Sequence, residues 1–145
     1  MTSTRTIHIE DVEIGDTVTP QVRRITMEEV KAFQGPGSQE QPTRFNSVEH
    51  AKKEGLAGPV IPGGMSVAMI SKTLTDWSPG VQLKLLDVIL RQVVPQESEF
   101  KIYATVTDKN EAEQQVEVDI YVEPLEGQPY IRGRAVLRLP SRAKF

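Results

Sequence analysis

One short segment of the chain carries most of the side chains that could do chemistry. Residues 39–46 read QEQPTRFN, in which Glu40 offers a carboxylate and Arg44 a permanently charged guanidinium fork. His50 follows six residues after Arg44. A carboxylate or an imidazole can move protons, whereas a guanidinium stays protonated and can only clamp an anion. The segment therefore predicts acid–base chemistry by Glu40 or His50, or anion binding by Arg44.

Each of these side chains also has a purely structural interpretation. Arg44 could form a salt bridge instead of clamping a carboxylate or phosphate; if it points inward it needs an anion, and Glu40 is the internal candidate. Glu40 could equally be a solvated loop residue, and His50 could be structural or exposed. The amides of Gln39 and Gln41 could bind a polar substrate group or simply fill the loop.

Composition narrows the class of protein. The chain has 145 residues, which predicts a single domain over residues 1–145. Its net charge of −3 argues against nucleic-acid binding. The absence of cysteine excludes a disulfide scaffold, and two histidines are too few for a multi-histidine metal site, so we expect neither metal nor cofactor. No apolar run approaches the length of a membrane span and no signal segment is recognisable, which predicts a cytoplasmic protein without a membrane partner.

Glycine and proline are concentrated around the candidate residues. Residues 35–64 contain six of the ten glycines and four of the ten prolines. Such a composition is typical of loops, and loops held on a rigid scaffold often carry binding and catalytic groups. The surrounding helices and strands must therefore position this segment.

Two short helices lie beside and within this segment. Thr26 with Glu29 three residues later forms a capping box, which predicts a helix that ends near Gly35. Residues 46–55 predict a second helix, which opens on an Asn-Ser pair, either of which could cap it. Gly55 suits the left-handed position that follows a helix.

A third helix is predicted over Gly64–Trp77. Apolar residues cover much of its circumference, which is typical of a buried helix, and Met65 and Met69 are expected to be core residues. Gly63 and Gly64 at its start have two interpretations. They could form a tight turn, or they could leave space for a ligand beside backbone N–H groups that polarise a carbonyl.

The rest of the chain predicts an antiparallel sheet. Pro20 marks the first strand as an edge, a β-bulge is expected at Leu85-Leu86, and turns are expected at residues 108–110 and 124–127. The polar faces of the last two strands are acidic and basic, which favours their pairing. The predicted strands are Thr17–Ile25, Val81–Val94, Phe100–Thr107, Val116–Glu123 and Ile131–Leu139. A helix packed on such a sheet is an α+β architecture.

This order of elements resembles the hot-dog fold, a curved antiparallel sheet wrapped around a central helix. Three segments, residues 9–16 (IEDVEIGD), 25–33 (ITMEEVKAF) and 46–64, resemble the MaoC-like dehydratases, the group that contains the (R)-specific enoyl-CoA hydratases. Residues 81–140 are similar to the remaining strands of that family. The resemblance thus covers nearly the whole chain.

The hydratase signature of that family, D-x-N-P-x-H-x-D, is altered here. In the same register residues 39–46 retain only the proline, so Gln39 occupies the position of the catalytic Asp and Arg44 that of the catalytic His. Gly63 replaces the His that precedes the central helix, and Asn46 takes the place of the last Asp. Neither a Gln amide nor a guanidinium can relay a proton, so the resemblance implies a pocket without its usual dyad.

The resemblance also implies the residues of the site. Backbone N–H groups at the start of the central helix would polarise a thioester carbonyl. The implied catalytic positions are Gln39, Glu40 and Arg44, and the implied substrate-binding residues are Gln41, Asn46, His50, Gly63, Gly64 and Met65.

Three functions are compatible with this resemblance. The first is a lyase acting on an acyl thioester of CoA or acyl carrier protein, in which Arg44 orients a charged acyl group and Glu40 or His50 handles the proton. The second is a non-catalytic subunit that shapes the acyl pocket of a heteromeric dehydratase, and the third is a thioesterase. Each implies an acyl-thioester partner and a homodimer, a higher oligomer or a heterodimer, because exposed sheet edges need a partner.

Overall fold

The computed structural model describes residues 5–143, which form one antiparallel sheet, three α-helices and two short 3-10 turns. The strands are β1 (Thr17–Arg23), β2 (Gln82–Leu90), β3 (Phe100–Asn110), β4 (Gln115–Pro124) and β5 (Ile131–Arg138). The helices are α1 (Met27–Gln34), α2 (Val48–Lys53) and α3 (Gly63–Thr75), and the 3-10 turns are Ile9–Asp11 and Pro36–Gln39.

The five strands lie in the order β1-β3-β4-β5-β2, and every neighbouring pair is antiparallel. The predicted pairing of the last two strands is confirmed, since Asp119 lies opposite Arg134 and Arg134 Nη1 donates to Glu117 Oε1 at 2.8 Å. β1 and β2 are therefore the two edges of the sheet. The predicted α+β architecture is confirmed.

The core lies between one face of the sheet and α3. Alternate residues of β3 and β4 are buried, as their period-two pattern predicts, and Met69, Ile70 and Leu74 of α3 pack into the same cluster. Full burial of such a side chain contributes about 1.5–3 kcal/mol, so this cluster is what holds α3 on the sheet. The start of α3 is thereby held in a defined place.

α3 is less completely buried than its composition predicts. Its inward face is buried, whereas Gly64, Ala68, Lys72 and Thr75 on the opposite side are exposed. The sheet covers only one side of the helix, so small and polar residues occupy the other. Among residues 5–143, no helix is both long and apolar enough to span a bilayer.

The predicted helix caps are present. Thr26 Oγ1 accepts a hydrogen bond from the Glu29 N–H, and the Glu29 carboxylate accepts one from the Thr26 N–H, both at 3.2 Å. Ser47 caps α2 by accepting from the His50 N–H at 3.1 Å, and Gly55 has φ +87° just after this helix. These contacts depend only on residues a few positions apart, which is why the sequence predicts them.

Several predicted strand boundaries are wrong. Residues 108–110 belong to β3, and the chain turns at residues 111–114 instead. The register of β2 shifts between Leu83 and Leu85, one residue before the predicted bulge, and the strand ends at Leu90. In each case pairing with the neighbouring strand sets the boundary.

Candidate functional site

A cavity of about 250 Å³ opens beside the start of α3. Gly63 and Ser66 form its helical wall, and Leu90 and Val93 at the end of β2 and just beyond it form the opposite wall. Arg44 also lines it. The cavity therefore brings the altered signature segment to the N-terminus of the central helix.

Two larger cavities, of about 530 and 540 Å³, lie elsewhere. The first is lined mainly by residues of β2 and β5, such as Asp87 and Arg132, and by Arg91 just after β2; the second is lined by residues near the N-terminal segment and by Trp77. Neither is lined by a residue that the sequence predicts to be functional. The smaller cavity is the better candidate because it combines a helix terminus with a charged side chain.

The N-terminus of α3 is left open. Pro62 precedes the helix and provides no side-chain cap, although its carbonyl accepts from the Ser66 N–H at 3.1 Å. The first N–H groups of a helix have no acceptor within the helix and carry a partial positive charge. Pro62 and the glycines after it thus leave donors available where the cavity begins.

The two glycines differ in their surroundings. Neither has a positive φ, so the start of α3 does not depend on a left-handed glycine turn. A Cβ at Gly63 would lie 3.2 Å from Leu90 Cδ2, whereas a Cβ at Gly64 would meet nothing within 4 Å. Gly63 therefore keeps the space between α3 and β2 open, and Gly64 is not required for this.

Arg44 is paired within the chain, but with Glu54 and not with Glu40. Its Nη2 donates to Glu54 Oε1, while His50 Nε2 lies 2.8 Å from Glu54 Oε2. The Glu54 carboxylate thus lies between a guanidinium and an imidazole and is 29% exposed. His50 and Glu54 are four residues apart on the predicted second helix, a spacing that places them on one face, so the sequence contained a signal for this pair.

The remaining polar residues of the segment serve the loop itself. Gln39 Nε2 donates to the carbonyls of Gly35 at 3.3 Å and Lys31 at 3.4 Å, at the C-terminus of α1. Asn46 Nδ2 donates to the Gln41 carbonyl at 3.1 Å. None of Gln39, Gln41 and Asn46 lines the cavity.

Glu40 also lies away from the cavity. It is exposed and, with Gln39 and Asn46, borders a separate surface depression of about 300 Å³. Of the predicted site residues, only Arg44 and Gly63 line the cavity. Gly64 adjoins it in sequence, and Met65 packs against the core. His50 pairs with Glu54, which in turn pairs with Arg44 at the cavity.

Sequence reasoning missed Ser66. Ser66 is 2% exposed and lines the cavity, and its Oγ has no hydrogen-bond partner within residues 5–143. The available signal was its spacing, since Ser66 follows Gly63 by three positions and so lies on the same helical face.

No protein-family model and no curated protein matches the sequence. Solved structures do match. R-hydratase PhaJ1 from Pseudomonas aeruginosa gives a TM-score of 0.83 at 16% identity, over 98% of this chain and 93% of that one. The MaoC-like dehydratase from Rhodospirillum rubrum gives 0.74 at 16% identity, over 95% and 99% of the two chains.

A chain of the ChsH1-ChsH2 complex from Mycobacterium tuberculosis also matches, with a TM-score of 0.74 at 12% identity over 88% of this chain and 98% of that one. At such identities the likeness concerns the fold. A five-stranded antiparallel sheet packed on a central helix and these neighbours together confirm the predicted architecture: the chain has the hot-dog fold of MaoC-like dehydratases and (R)-hydratases.

Proposed function

We propose that this chain binds an acyl thioester, with the thioester carbonyl at the N-terminus of α3 and the acyl group in the 250 Å³ cavity. The observation that carries the proposal is the uncapped helix terminus that opens onto this cavity. N–H groups at such a terminus stabilise negative charge on a carbonyl oxygen. The sequence resemblance and the fold of the hydratases support the same class of ligand.

The walls of the cavity suit a short acyl chain. Val60, Ile61, Leu90 and Val93 are apolar and Phe45 adds an aromatic ring, while Arg44, Ser66, Arg91 and Gln92 form the polar part of the lining. A volume of about 250 Å³ lies below the usual range of about 300–1,000 Å³ for small-molecule sites. We therefore expect acyl groups of a few carbons, with the CoA or carrier-protein arm outside.

The geometry favours binding over catalysis by this chain alone. Hydration of an enoyl thioester needs one group that takes a proton from water and one that returns a proton to carbon. Gln39 cannot do either and is engaged with the carbonyls of α1, and Arg44 is engaged with Glu54. We propose that the chain is a non-catalytic subunit that shapes an acyl pocket for a partner, a role supported by the match to a chain of a two-component complex.

A lyase with substituted acid–base groups is the second candidate. His50 Nε2 and Glu54 Oε2 are 2.8 Å apart, an arrangement in which a carboxylate orients an imidazole. For this pair to act, it would have to reach the substrate past Arg44, the group of this cluster that lines the cavity. A thioesterase receives no comparable support, because among residues 5–143 no carboxylate lines the cavity.

The oligomer that we propose is formed through β2. β1 is an irregular edge, since its register shifts around Pro20 and Thr19 has φ +35°. β2 contains no proline and no non-glycine residue with a positive φ, and it leaves Ile89 56% exposed and Leu90 49% exposed. The register of β2 also shifts, between Leu83 and Leu85, but the end of the strand at Val88, Ile89 and Leu90 is regular and apolar, which favours pairing with a second chain. Because Leu90 also lines the cavity, the second chain would lie beside the acyl site.

Isothermal titration of butyryl-CoA into the purified chain tests the binding proposal, with free CoA as the ligand control. We expect Gly63→Val to weaken binding at least about tenfold, because its side chain would enter the space beside Leu90, and Gly64→Ala to leave binding unchanged. Failure of butyryl-CoA to bind, or equal affinity of both variants, would contradict the proposal. Light scattering of the same sample tests the oligomer, and a 16.2 kDa monomer would exclude the homo-oligomer.

A further inference from the structure

Two charged side chains at the free edge of the sheet have no partner within the described chain. Asp87 lies in β2 and Arg91 just after it, and both are exposed. Within residues 5–143 neither side chain forms an ion pair or a hydrogen bond. Both line the cavity of about 530 Å³, and so does Ile89 between them. Val88 packs against the core from the other side of the strand, so these three side chains share the face of the sheet that is turned away from α3.

The neighbouring strand β5 does not neutralise this pair of charges. Arg134 lies opposite Asp87 in the sheet, but its Nη1 donates to Glu117 Oε1 at 2.8 Å on the far side. Arg132 also leans away from β2, because its guanidinium carbon lies 4.2 Å from the centre of the Tyr121 ring in β4. The charges of β5 are thus engaged with β4, and those of β2 are left for a group beyond the edge.

The backbone of β2 also has unused hydrogen-bonding groups at this edge. The Arg91 N–H donates to the Tyr130 carbonyl of the adjacent segment at 2.9 Å. Along an antiparallel strand, alternate residues direct their N–H and C=O groups to opposite sides. The register with β5 is regular from Leu85 to Leu90, so the backbone groups of Val88 and Leu90 are directed to the open edge.

We propose that β2 pairs antiparallel with β2 of a second copy of this chain, with the two-fold axis at Ile89. Val88 of each copy then lies opposite Leu90 of the other, which gives four backbone hydrogen bonds. In the same register Asp87 of each copy lies opposite Arg91 of the other, on one face of the joined sheet. The interface is self-complementary, as a two-fold interface requires, and has an apolar centre flanked by two ion pairs.

The charges select this register among those that the edge allows. An axis at Val88 or at Leu90 would place Asp87 and Arg91 opposite apolar residues of the second copy. An axis at Asp87 or at Arg91 itself would place like charges opposite each other, which is unfavourable. Only the axis at Ile89 pairs both charges.

This inference rests on the proposed function, which places the oligomer at β2, and deepens it by naming the second chain and the register. Arg91 also lines the 250 Å³ cavity. The second copy therefore contributes a carboxylate, that of its Asp87, beside a residue of the acyl site. A catalytic partner with the same fold would have to displace the second copy from this edge.

Charge reversal tests the register, with the dimer dissociation constant measured by sedimentation equilibrium. Asp87→Arg and Arg91→Asp should each raise that constant at least about tenfold, because each replaces two ion pairs by two like-charge contacts. An equimolar mixture of the two variants should dimerise again, since one chain is then basic and the other acidic at both positions. A chain that carries both substitutions should also dimerise, because opposite charges remain opposite.

Lys84→Asp is the matched control. Lys84 is exposed on the same strand, and its substitution changes the charge as Arg91→Asp does, but it lies outside the paired stretch. Its dissociation constant should equal that of the wild type. Circular dichroism verifies that each variant is folded.

The salt dependence of the wild-type dimer is a second measurement that needs no variant. Salt screens exposed ion pairs, so the dissociation constant should rise between about 0.05 M and about 0.5 M NaCl. A constant that does not rise would overturn the inference.

The outcomes separate this inference from the proposals on which it rests. A wild-type dimer that the single variants leave unchanged, or that their mixture does not restore, would overturn the register alone. A monomeric wild type would overturn both the homo-oligomer and this inference. Titration with butyryl-CoA tests thioester binding separately, so a failure of that proposal is distinguishable from either result.

Discussion

Two regions of the molecule use polar side chains in opposite ways. A cluster that we call the terminal clasp joins Glu10 and Asp11, near the first described residues, to Ser141 and Arg142, near the last. The carboxylates of this cluster accept hydrogen bonds, one of them from Arg142 Nη2, which lies 2.9 Å from Asp11 Oδ2. At the cavity, by contrast, Ser66 is buried and unpaired and α3 begins without a side-chain cap.

The polar groups of the clasp stabilise the fold, whereas those at the cavity are available to bind a ligand. Arg142 donates to the Asp11 side chain, and with the His8 N–H this lowers the pKa of Asp11 to about 2. Both sides of that ion pair are solvent-exposed, and such pairs stabilise a fold only modestly. Donors left open in a cavity do not stabilise the fold, but they remain available to a ligand. Changes in the clasp should therefore affect stability, and changes at the cavity should affect binding.

The largest expected effect concerns catalysis at the cavity. The purified chain should hydrate crotonyl-CoA far more slowly than the roughly 10 s⁻¹ typical of enzymes, because loss of each acid–base group costs about 10²–10⁴-fold. Gln39→Asp combined with Arg44→His should raise the rate if the register of the resemblance is correct. The hydration rate is measured from the loss of the enoyl absorbance of crotonyl-CoA, with the single variant Arg44→His as control.

Two results would contradict this expectation. Turnover by the wild type at an ordinary enzymatic rate would show that another base acts, with His50 and Glu54 the first candidates. A double variant that folds, binds the thioester and stays inert would show that position 39 does not reach the substrate. The latter result would agree with the absence of Gln39 from the cavity wall.

An intermediate effect is expected at Arg44. Because Glu54 already neutralises this guanidinium, the wild type should bind succinyl-CoA and its neutral isostere 4-methylpentanoyl-CoA about equally. Glu54→Gln should release Arg44 and create a preference of about tenfold or more for succinyl-CoA, the effect of a charged hydrogen bond.

Glu49→Gln is the matched control for this experiment. Glu49 is on the same helix but is exposed and pairs with Lys53, so its loss should not alter the preference. Calorimetry with both thioesters measures the outcome. A strong succinyl-CoA preference already present in the wild type would show that Arg44 binds ligand anions despite its pairing with Glu54.

The smallest effect is expected at the clasp. Arg142→Ala should lower the Tm at pH 7 by at most a few degrees and leave butyryl-CoA affinity unchanged. A depressed carboxylate pKa contributes stability that is present above the ordinary value of about 3.9 and is lost as the pH falls through about 2. The difference in Tm between wild type and variant should therefore shrink over that window.

Arg138→Ala provides the control, because its hydrogen-bond partner is the neutral amide of Gln114. Its effect on Tm should not vary with acidification in this way. Thermal unfolding between pH 7 and pH 2 measures both variants. A gap for Arg142→Ala that widens on acidification would contradict the assignment of the pKa shift to this ion pair.

The sequence predicts those features that depend on neighbouring residues. Thr26 and Glu29 form their capping box, Ser47 caps α2, and Gly55 takes the left-handed position after it. The alternating pattern of the strands and the order of the elements were sufficient to predict the α+β architecture. The turn at residues 111–114 was not predictable in this way, because the length of β3 depends on its pairing with β4.

The candidate site was predicted only in part. Arg44 and Gly63 line the cavity as the resemblance implies, and the missing proton-transfer groups are evident from the residue types alone. A loop role for Gln39 and Gln41 was one of the two interpretations that the sequence allowed, but the backbone carbonyls to which Gln39 and Asn46 donate could not be predicted, because their positions depend on the folded segment.

Thus the sequence by itself determined the elements, their order and the chemical limits of the site, because periodicity, capping and side-chain chemistry are local properties. Only the tertiary structure decided that Glu54 neutralises Arg44 and that Ser66 is buried beside an open helix terminus. These facts depend on which side chains meet across separate elements and on which groups remain unpaired when they do. Packing of α3 against the sheet buries Ser66, and the fold of residues 44–54 brings Arg44 to Glu54.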